Sequence, residues 1–429
     1  MKIVHLIPGS GGTFYCQNCM RDNELIRTLK GLGNDVLMVP LYLPLSVETG
    51  GVLGDTPVFY GAVNIYLKEK FPIYRHAPMW MEKLLDSEFM LKIAAKRSES
   101  TRASGLEDLT ISMLEGENGR QATELDHLIK YFKKEIKPDV VHLSNALLLG
   151  MAGKIKNELG VPVVCSLQDE NEWIDPMREE YRDLVWDKMA EKAKDVDAFI
   201  AASQFYSKKS QQKLHIPTDK IYVIYGGIDL SIYEQAPLTF HPPVIGYLCR
   251  MSEYFGLGII VDAFIKLKQD PKYTDLKLSL MGGYTGDDKP FLKKMIKKLN
   301  AEGILSEVKI YEHFDITYRL EFLKSLSLLS VPVLAGEAFG AYQVEALASG
   351  VPIVQPNLGG FPEFIEATGG GILYEPNDFE NLAQALALML DNPDLIRKKG
   401  LRGRQVVMER FSMQNMAKNI LDVYKKVVN

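Results

Sequence analysis

The chain has 429 residues, enough for two or three domains at roughly 100–200 residues each. Hydrophobic residues make up 46% and charged residues 24%, a globular balance that excludes wholesale disorder. Fifty Lys+Arg against 55 Asp+Glu give a net charge of −5, which removes the global signature of a nucleic-acid binder. Four cysteines in so long a chain do not make a disulfide framework, and no apolar run reaches the roughly 18–20 residues of a membrane span. The first apolar run stops at Pro8 and Gly9, too short for a signal-peptide core, and predicts a strand instead. These bounds predict a soluble, cytoplasmic, multidomain protein.

Short β-branched runs alternate with amphipathic stretches, the pattern of an α/β chain with parallel sheets. A strand at 3–7 leads through a glycine-rich turn to a helix at 22–31 and a strand at 36–41. Residues 45–135 depart from that rhythm, with helices predicted at 78–96 and 121–134. Alternation resumes with strands at 140–143, 161–166, 198–201 and 222–224. The proline-rich stretch 234–243 reads as a linker between an N-terminal domain, 1–236, and a C-terminal one, 244–411. The second series carries strands at 244–248, 276–281, 309–311, 330–333, 352–355 and 371–374. A helix at 378–390, with Asn377 and Glu380 as its capping box, ends at Asn392-Pro393. A last helix, 412–429, comes after the second sheet is complete. The expectation is two Rossmann-like halves facing each other across a cleft, the default ligand site.

The first βα turn, Pro8-Gly9-Ser10-Gly11-Gly12-Thr13, is not a dinucleotide fingerprint, because Phe14 stands where the third glycine belongs. Small residues around Gly12 still let backbone N–H groups approach a phosphate or a sugar; a tight turn without a ligand is the competing reading. The richest signal runs from Gly336-Glu337-Ala338-Phe339-Gly340-Ala341 to Gly350-Val351-Pro352. It predicts a helix at 341–349 whose N-terminus, at the sheet's C-terminal edge, offers free N–H donors and partial positive charge to a diphosphate. Glu337 and Glu345 frame it, and carboxylates beside a phosphate site suit sugar hydroxyls. The bland alternative is an exposed loop acid and a solvated helix acid.

That stretch resembles the E-x7-E motif of the retaining glycosyltransferase family usually called GT4, whose fold is GT-B. Phe339, Gly340, Gly359-Gly360-x-Pro362-Glu363, Asp139-Val-Val-His142 and Gly227-Ile228-Asp229 fit the same pattern, so the likeness spans nearly the whole chain. Cys249-Arg250 stands where the family has Gly-Arg. The resemblance implies that Glu345 holds the donor ribose, Glu337 contacts the transferred sugar, and Arg250 neutralises the donor diphosphate. It also implies that the last helix crosses back to the N-terminal domain. Two positions depart: Phe255 replaces the phosphate lysine before Gly256, and Ser144 replaces the second histidine of the N-terminal motif. Arg21 is a candidate replacement cation, and His142, Asn145 and Asp169 are candidate acceptor-side residues. His142, in an apolar strand end, also reads as a satisfied core histidine.

Cys16-x-x-Cys19 reads as packing thiols, with an acceptor-site or redox role, or a metal half-site, as alternatives; the last lacks two further ligands. Asp195-Val-Asp197 spells a metal-binding DxD but precedes a strand, and is read as structural. The amphipathic stretch 289–300, with five lysines, is read as a sheet-covering helix, with peripheral contact to an anionic membrane as the alternative. Met79-Trp80-Met81 is read as helix-pair core, or else as an acceptor patch. The reading is a metal-independent transferase. It takes a nucleoside-diphosphate sugar as substrate, not cofactor, and passes the sugar with retention to a carbohydrate, lipid or small-molecule acceptor. A sugar-nucleotide enzyme of another reaction and a weak nucleotide-sugar-binding protein are the competing classes.

Overall fold

The structure is a computed structural model that describes residues 1–8, 14–41, 106–238 and 240–429. The expected helix at 78–96, the Met79-Trp80-Met81 stretch and Gly12 lie outside the described residues. Contacts divide the chain into two units: 1–12, 18–224 and 417–429 form the first, and 13–17 with 225–416 the second. The division at 224–225 falls ahead of the proline-rich stretch 234–243, which packs with the second unit.

The first unit is built on a parallel sheet of β1 (Lys2–Ile7), β2 (Asp35–Pro40), β3 (Val140–Leu143), β4 (Val163–Leu167), β5 (Ala198–Ala201) and β6 (Ile221–Val223). Its order is β2-β1-β3-β4-β5-β6, so the winding reverses between β1 and β3. All four residues of β3, all five of β4 and all four of β5 are buried. Such continuous apolar burial is what a sheet covered on both faces demands. The helix after β1 spans Gln17–Gly31, starting five residues ahead of the predicted 22 and taking in Cys19 and Arg21.

The second sheet joins β7 (Val244–Leu248), β8 (Lys277–Met281), β9 (Val308–Ile310), β10 (Leu328–Leu329), β11 (Ile353–Pro356) and β12 (Gly371–Tyr374). Its order, β12-β11-β10-β7-β8-β9, is the doubly wound 3-2-1-4-5-6 arrangement, with the reversal between β7 and β10. Strand β10 is two residues long and ends before the predicted 330–333 begins. Val331 instead donates its N–H to the Gln355 side chain, 2.9 Å away, and so leaves the ladder. The helix Phe379–Leu390 is capped by Asp378, whose side chain accepts from the Glu380 N–H at 2.8 Å. Asn377 takes a left-handed φ of 61° ahead of it, so the predicted Asn377 cap is corrected by one residue. Asn392-Pro393 does end that helix, and it also starts another: Asn392 caps Pro393–Arg410, with proline in the first turn. The helix Lys289–Ala301 buries Leu292, Met295 and Leu299 and leaves its lysines on the other side. No helix among the described residues is long and apolar enough to cross a membrane.

Candidate functional site

Ligands of open α/β sheets bind beyond the strands' C-terminal ends where the winding reverses. In the second unit those ends are the loops after β7 and β10, which pair through Leu328 with Ile245 and Leu329 with Gly246. The first loop carries Arg250 and Phe255; the second carries Glu337, Phe339 and Gly340 and feeds the helix Ala341–Ala348. Tyr247 fixes the first loop by donating its buried hydroxyl to the Arg250 carbonyl at 2.8 Å and the Phe255 carbonyl at 3.2 Å. Its pKa is raised by burial and by Cys249, Glu337 and Asp288, and lowered by Arg250, so both loops meet around one phenol.

Arg250 is held rigidly. Its Nε lies 2.8 Å from Asp288 Oδ2, and its Nη2 lies 3.2 Å from both Asp288 Oδ1 and Thr285 Oγ1. Thr285 and Asp288 form a capping box, so one carboxylate both starts a short helix and aims the guanidinium. Burial works against the Asp288 charge, but hydrogen bonds from Arg250 and Thr285 hold its pKa below the usual carboxylate range. Phe255, in the position of the family's lysine, is buried and edge-on to Tyr254 at 5.2 Å.

The second loop depends on two glycines. Gly340 has φ +79°, and a Cβ there would sit 3.0 Å from Glu337 Oε2 and 3.0 Å from the Tyr342 ring. Gly359 has φ +64°, and a Cβ there would meet the Glu337 backbone N and O at 2.8 Å each. The neighbouring Gly360 N–H donates to that Glu337 carbonyl at 2.8 Å, so the Gly359-Gly360 pair packs directly beneath the motif. Glu337 accepts from Tyr342 Oη at 2.5 Å and from Gln17 Nε2 at 3.0 Å. Glu345 accepts from Arg319 Nε at 3.0 Å and from Tyr15 Oη at 2.6 Å. Glu337 is 4% and Glu345 2% exposed, so neither is the solvated acid of the bland reading. Burial opposes the Arg319 charge, yet Glu345 and the neighbouring tyrosine hydroxyls keep its pKa above the ordinary value. Phe339 is not an open platform; its ring packs on Phe364 at 5.5 Å and stacks on Phe411 at 6.2 Å.

The first unit's candidates take a different form. His142 lies opposite His5 across β3 and β1, ring centroids 4.4 Å apart. Its two ring nitrogens are 2.5 Å from Tyr424 Oη and 2.8 Å from Ser166 Oγ. Burial first, then His5 and Arg21, push its pKa well below the usual histidine value, so it is a neutral core histidine. Arg21 is spent on the buried Asp22, Nη2 to Oδ1 at 2.6 Å. Asn145 caps the turn Ala146–Met151 by accepting from Leu147 N–H at 3.1 Å. Asp169 adopts φ 54° before Glu170–Ile174, and it is Glu170 that anchors this edge, accepting from the Ala146 N–H and Tyr206 Oη. Ser144 is buried, its carbonyl bonded by the Gln168 amide.

Asp197 is ion-paired to Lys156 and accepts from the Val163 N–H at 2.9 Å. Among the described residues, no three His, Cys, Asp or Glu side chains converge as a metal-binding group. Cys16 and Cys19 are disulfide-bonded, whereas Cys165 and Cys249 are buried thiols outside any disulfide; the packing-thiol reading of the CxxC pair is thereby corrected. Sequence reasoning missed Tyr15, Gln17, Arg319 and Asp288. Only Asp288 carried a signal, the Thr-x-x-Asp spacing of a capping box.

Residues 234–406 match the glycosyl transferases group 1 family, and residues 109–232 match glycosyltransferase family 4. Alpha-maltose-1-phosphate synthase of Mycolicibacterium smegmatis is 25% identical over 315 residues, covering 67% of this chain and 79% of that protein. Phosphatidyl-myo-inositol mannosyltransferase of Mycobacterium leprae is 25% identical over 209 residues, covering 48% and 53%. Among solved structures, Anabaena Alr3699/HepE in complex with UDP superposes with a TM-score of 0.70 at 17% identity, covering 99% of this chain and 100% of that one. Sucrose-phosphate synthase from Thermosynechococcus elongatus does so with a TM-score of 0.71 at 16% identity, covering 99% of each. With two doubly wound parallel sheets and these matches over both halves, the chain belongs to the GT4-type glycosyltransferases of GT-B fold.

Proposed function

We propose that this glycosyltransferase draws its sugar from a nucleoside-diphosphate donor bound at the β7/β10 reversal, and transfers it with retention at the anomeric carbon. One observation carries the reading: a pre-aimed guanidinium on one loop at that reversal, and on the other a buried carboxylate, Glu337, leading into a helix start that carries a second, Glu345. Arg250 and the first N–H groups of the helix Ala341–Ala348 take the charge that builds on the diphosphate as the glycosidic C–O bond breaks. Glu345 holds the ribose hydroxyls and Glu337 those of the transferred sugar. The acceptor oxygen attacks from the face the diphosphate leaves, and its proton passes to the departing phosphate oxygen, so no protein nucleophile is required. Positive charge comes from the chain, making the reaction metal-independent. The Anabaena structure with UDP supports the donor class, and relatives named for phosphatidylinositol, malate and glucan products support an acceptor hydroxyl on a lipid, small molecule or carbohydrate.

The test is release of nucleoside diphosphate from a panel of UDP-, GDP- and ADP-sugars under reducing conditions, with and without EDTA. The reading predicts that one donor is consumed, that EDTA leaves the rate intact, and that Arg250→Ala weakens diphosphate binding more than tenfold. That matches the roughly 1.5–3 kcal/mol of a charge-assisted hydrogen bond. No diphosphate binding, or wild-type binding by Arg250→Ala, contradicts it.

A further inference from the structure

Residues 14–17 belong by their contacts to the second unit, although they lead into a helix of the first sheet's series whose first residue is Gln17. Phe14 pairs with Gly283 in an antiparallel bridge, and the Tyr15 N–H donates to the Gly282 carbonyl at 2.8 Å. Every group assigned above to the donor is met by this short segment. The Arg250 guanidinium lies 5.1 Å from the centre of the Phe14 ring. Tyr15 donates its hydroxyl to Glu345, as a ribose hydroxyl would. Gln17 donates its amide to Glu337, as a sugar hydroxyl would, and its carbonyl accepts the Ala341 N–H at 2.6 Å, where a phosphate oxygen would sit. A carboxylate that binds a substrate has to be reachable, and with Glu337 and Glu345 buried the donor needs these contacts to open first.

Gln17, the residue with two of these contacts, lies inside the four-residue loop closed by the disulfide of Cys16 with Cys19. Both of these cysteines are partly exposed, within reach of a reductant, in contrast to the buried thiols Cys165 and Cys249. A closed disulfide loop restricts the backbone around Gln17 and so limits the conformations that would withdraw its side chain.

We propose that residues 14–17 are an intramolecular strap that occupies the donor site, held there by the disulfide of Cys16 with Cys19 and released by a thioredoxin-type dithiol. In the release step the Cys16–Cys19 S–S bond breaks. Two electrons and two protons from the dithiol yield two thiols, and the reductant closes its own disulfide. The strap lowers apparent donor affinity by the fraction of molecules in which the site is open. This inference rests on the donor-site reading above, and its test separates the two.

The full chain, with its disulfide intact or reduced by dithiothreitol, is titrated with UDP and with GDP by calorimetry. The reduced protein should bind one of them at least tenfold more tightly than the oxidised protein. The Cys16→Ser/Cys19→Ser variant should match the reduced protein and ignore dithiothreitol. Tyr15→Phe/Gln17→Ala should bind more tightly than wild type in the oxidised form. Equal affinities in both redox states, or weaker binding by Tyr15→Phe/Gln17→Ala, overturn the strap while leaving the donor site standing. Absence of diphosphate binding in every form, reduced wild type included, overturns the donor-site reading and the strap with it. Reduction of wild type needs no substitution, so a variant that misfolds does not remove the test.

Discussion

The two sheets obey the same topological rule but carry different amounts of charge at their reversal points, one ion pair at the first and two at the second. Between β1 and β3 the first unit packs His5 against His142, and burial keeps the latter neutral between Tyr424 and Ser166. Between β7 and β10 the second unit places Arg250 with Asp288, Arg319 with Glu345, and Glu337 beside a helix start. A buried ion pair gains little net stability, because desolvation offsets most of the attraction. Two such pairs at one reversal are therefore weak evidence of structural need and stronger evidence of a site that handles charge. The first reversal has one such pair, Arg21 with the buried Asp22, whose carboxylate lies 3.9 Å from His5, while His142 behaves as core that happens to be polar.

The sharpest way to break this contrast is to remove one partner of a charged pair. Arg319→Met leaves Glu345 buried without its cation and should cost about 3–5 kcal/mol in chemical denaturation. A loss below about 1 kcal/mol would mean that the pair is solvated and the contrast false. Next come the two motif carboxylates. Glu337→Gln should lower kcat by about 10²-fold, the scale of preorganised electrostatic groups, while diphosphate affinity stays put. Glu345→Gln should mainly raise the donor KM, because a ribose contact is equal in ground and transition states. Steady-state kinetics on both decides the assignment, and a reversed pattern swaps the roles.

A smaller effect is expected at Asp288. Its folded pKa is depressed by Arg250 and Thr285 against the opposing effect of burial. Its contribution to stability is therefore complete above the unfolded value of about 3.9 and is lost as pH falls through the folded one. Asp288→Asn should show its deficit near neutrality and converge with wild type in acid; a deficit constant with pH would show that Asp288 is not ionised in the folded chain. The smallest effect belongs to the first unit. His142→Asn should lower the melting temperature and leave diphosphate affinity and the pH profile of turnover unchanged, and a displaced pH profile would make the histidine a working base.

Much of the second reversal was legible in the sequence because its backbone demands glycine at fixed places. Gly340 and Gly359 both take positive φ and crowd Glu337, so the loop, the helix start and the carboxylate arrive together in one motif. The partners of that motif were not legible. Arg319 sits 26 residues before Glu345 on a separate helix, and no period or spacing links them. Tyr15 and Gln17 lie more than 300 positions from Glu345 and Glu337 in the chain, and their contacts exist only in the folded second unit. Element ends failed where one residue serves two elements. Asn392 reads as a stop because proline follows, yet proline in a helix's first turn also favours starting one. Strand β10 was misplaced because Ser330–Val333 is apolar enough to read as a strand, while the Gln355 side chain draws the Val331 N–H out of the ladder.

The central claim, that diphosphate chemistry belongs to the second reversal and not the first, is tested most directly by hydrogen exchange of the reduced full chain with and without UDP or GDP. The account predicts slowed exchange at residues 249–252 and 336–345, around Arg250 and the start of the helix Ala341–Ala348, with β1 and β3 unchanged. Protection confined to β1 and β3, or none at 336–345 at saturating diphosphate, would contradict it.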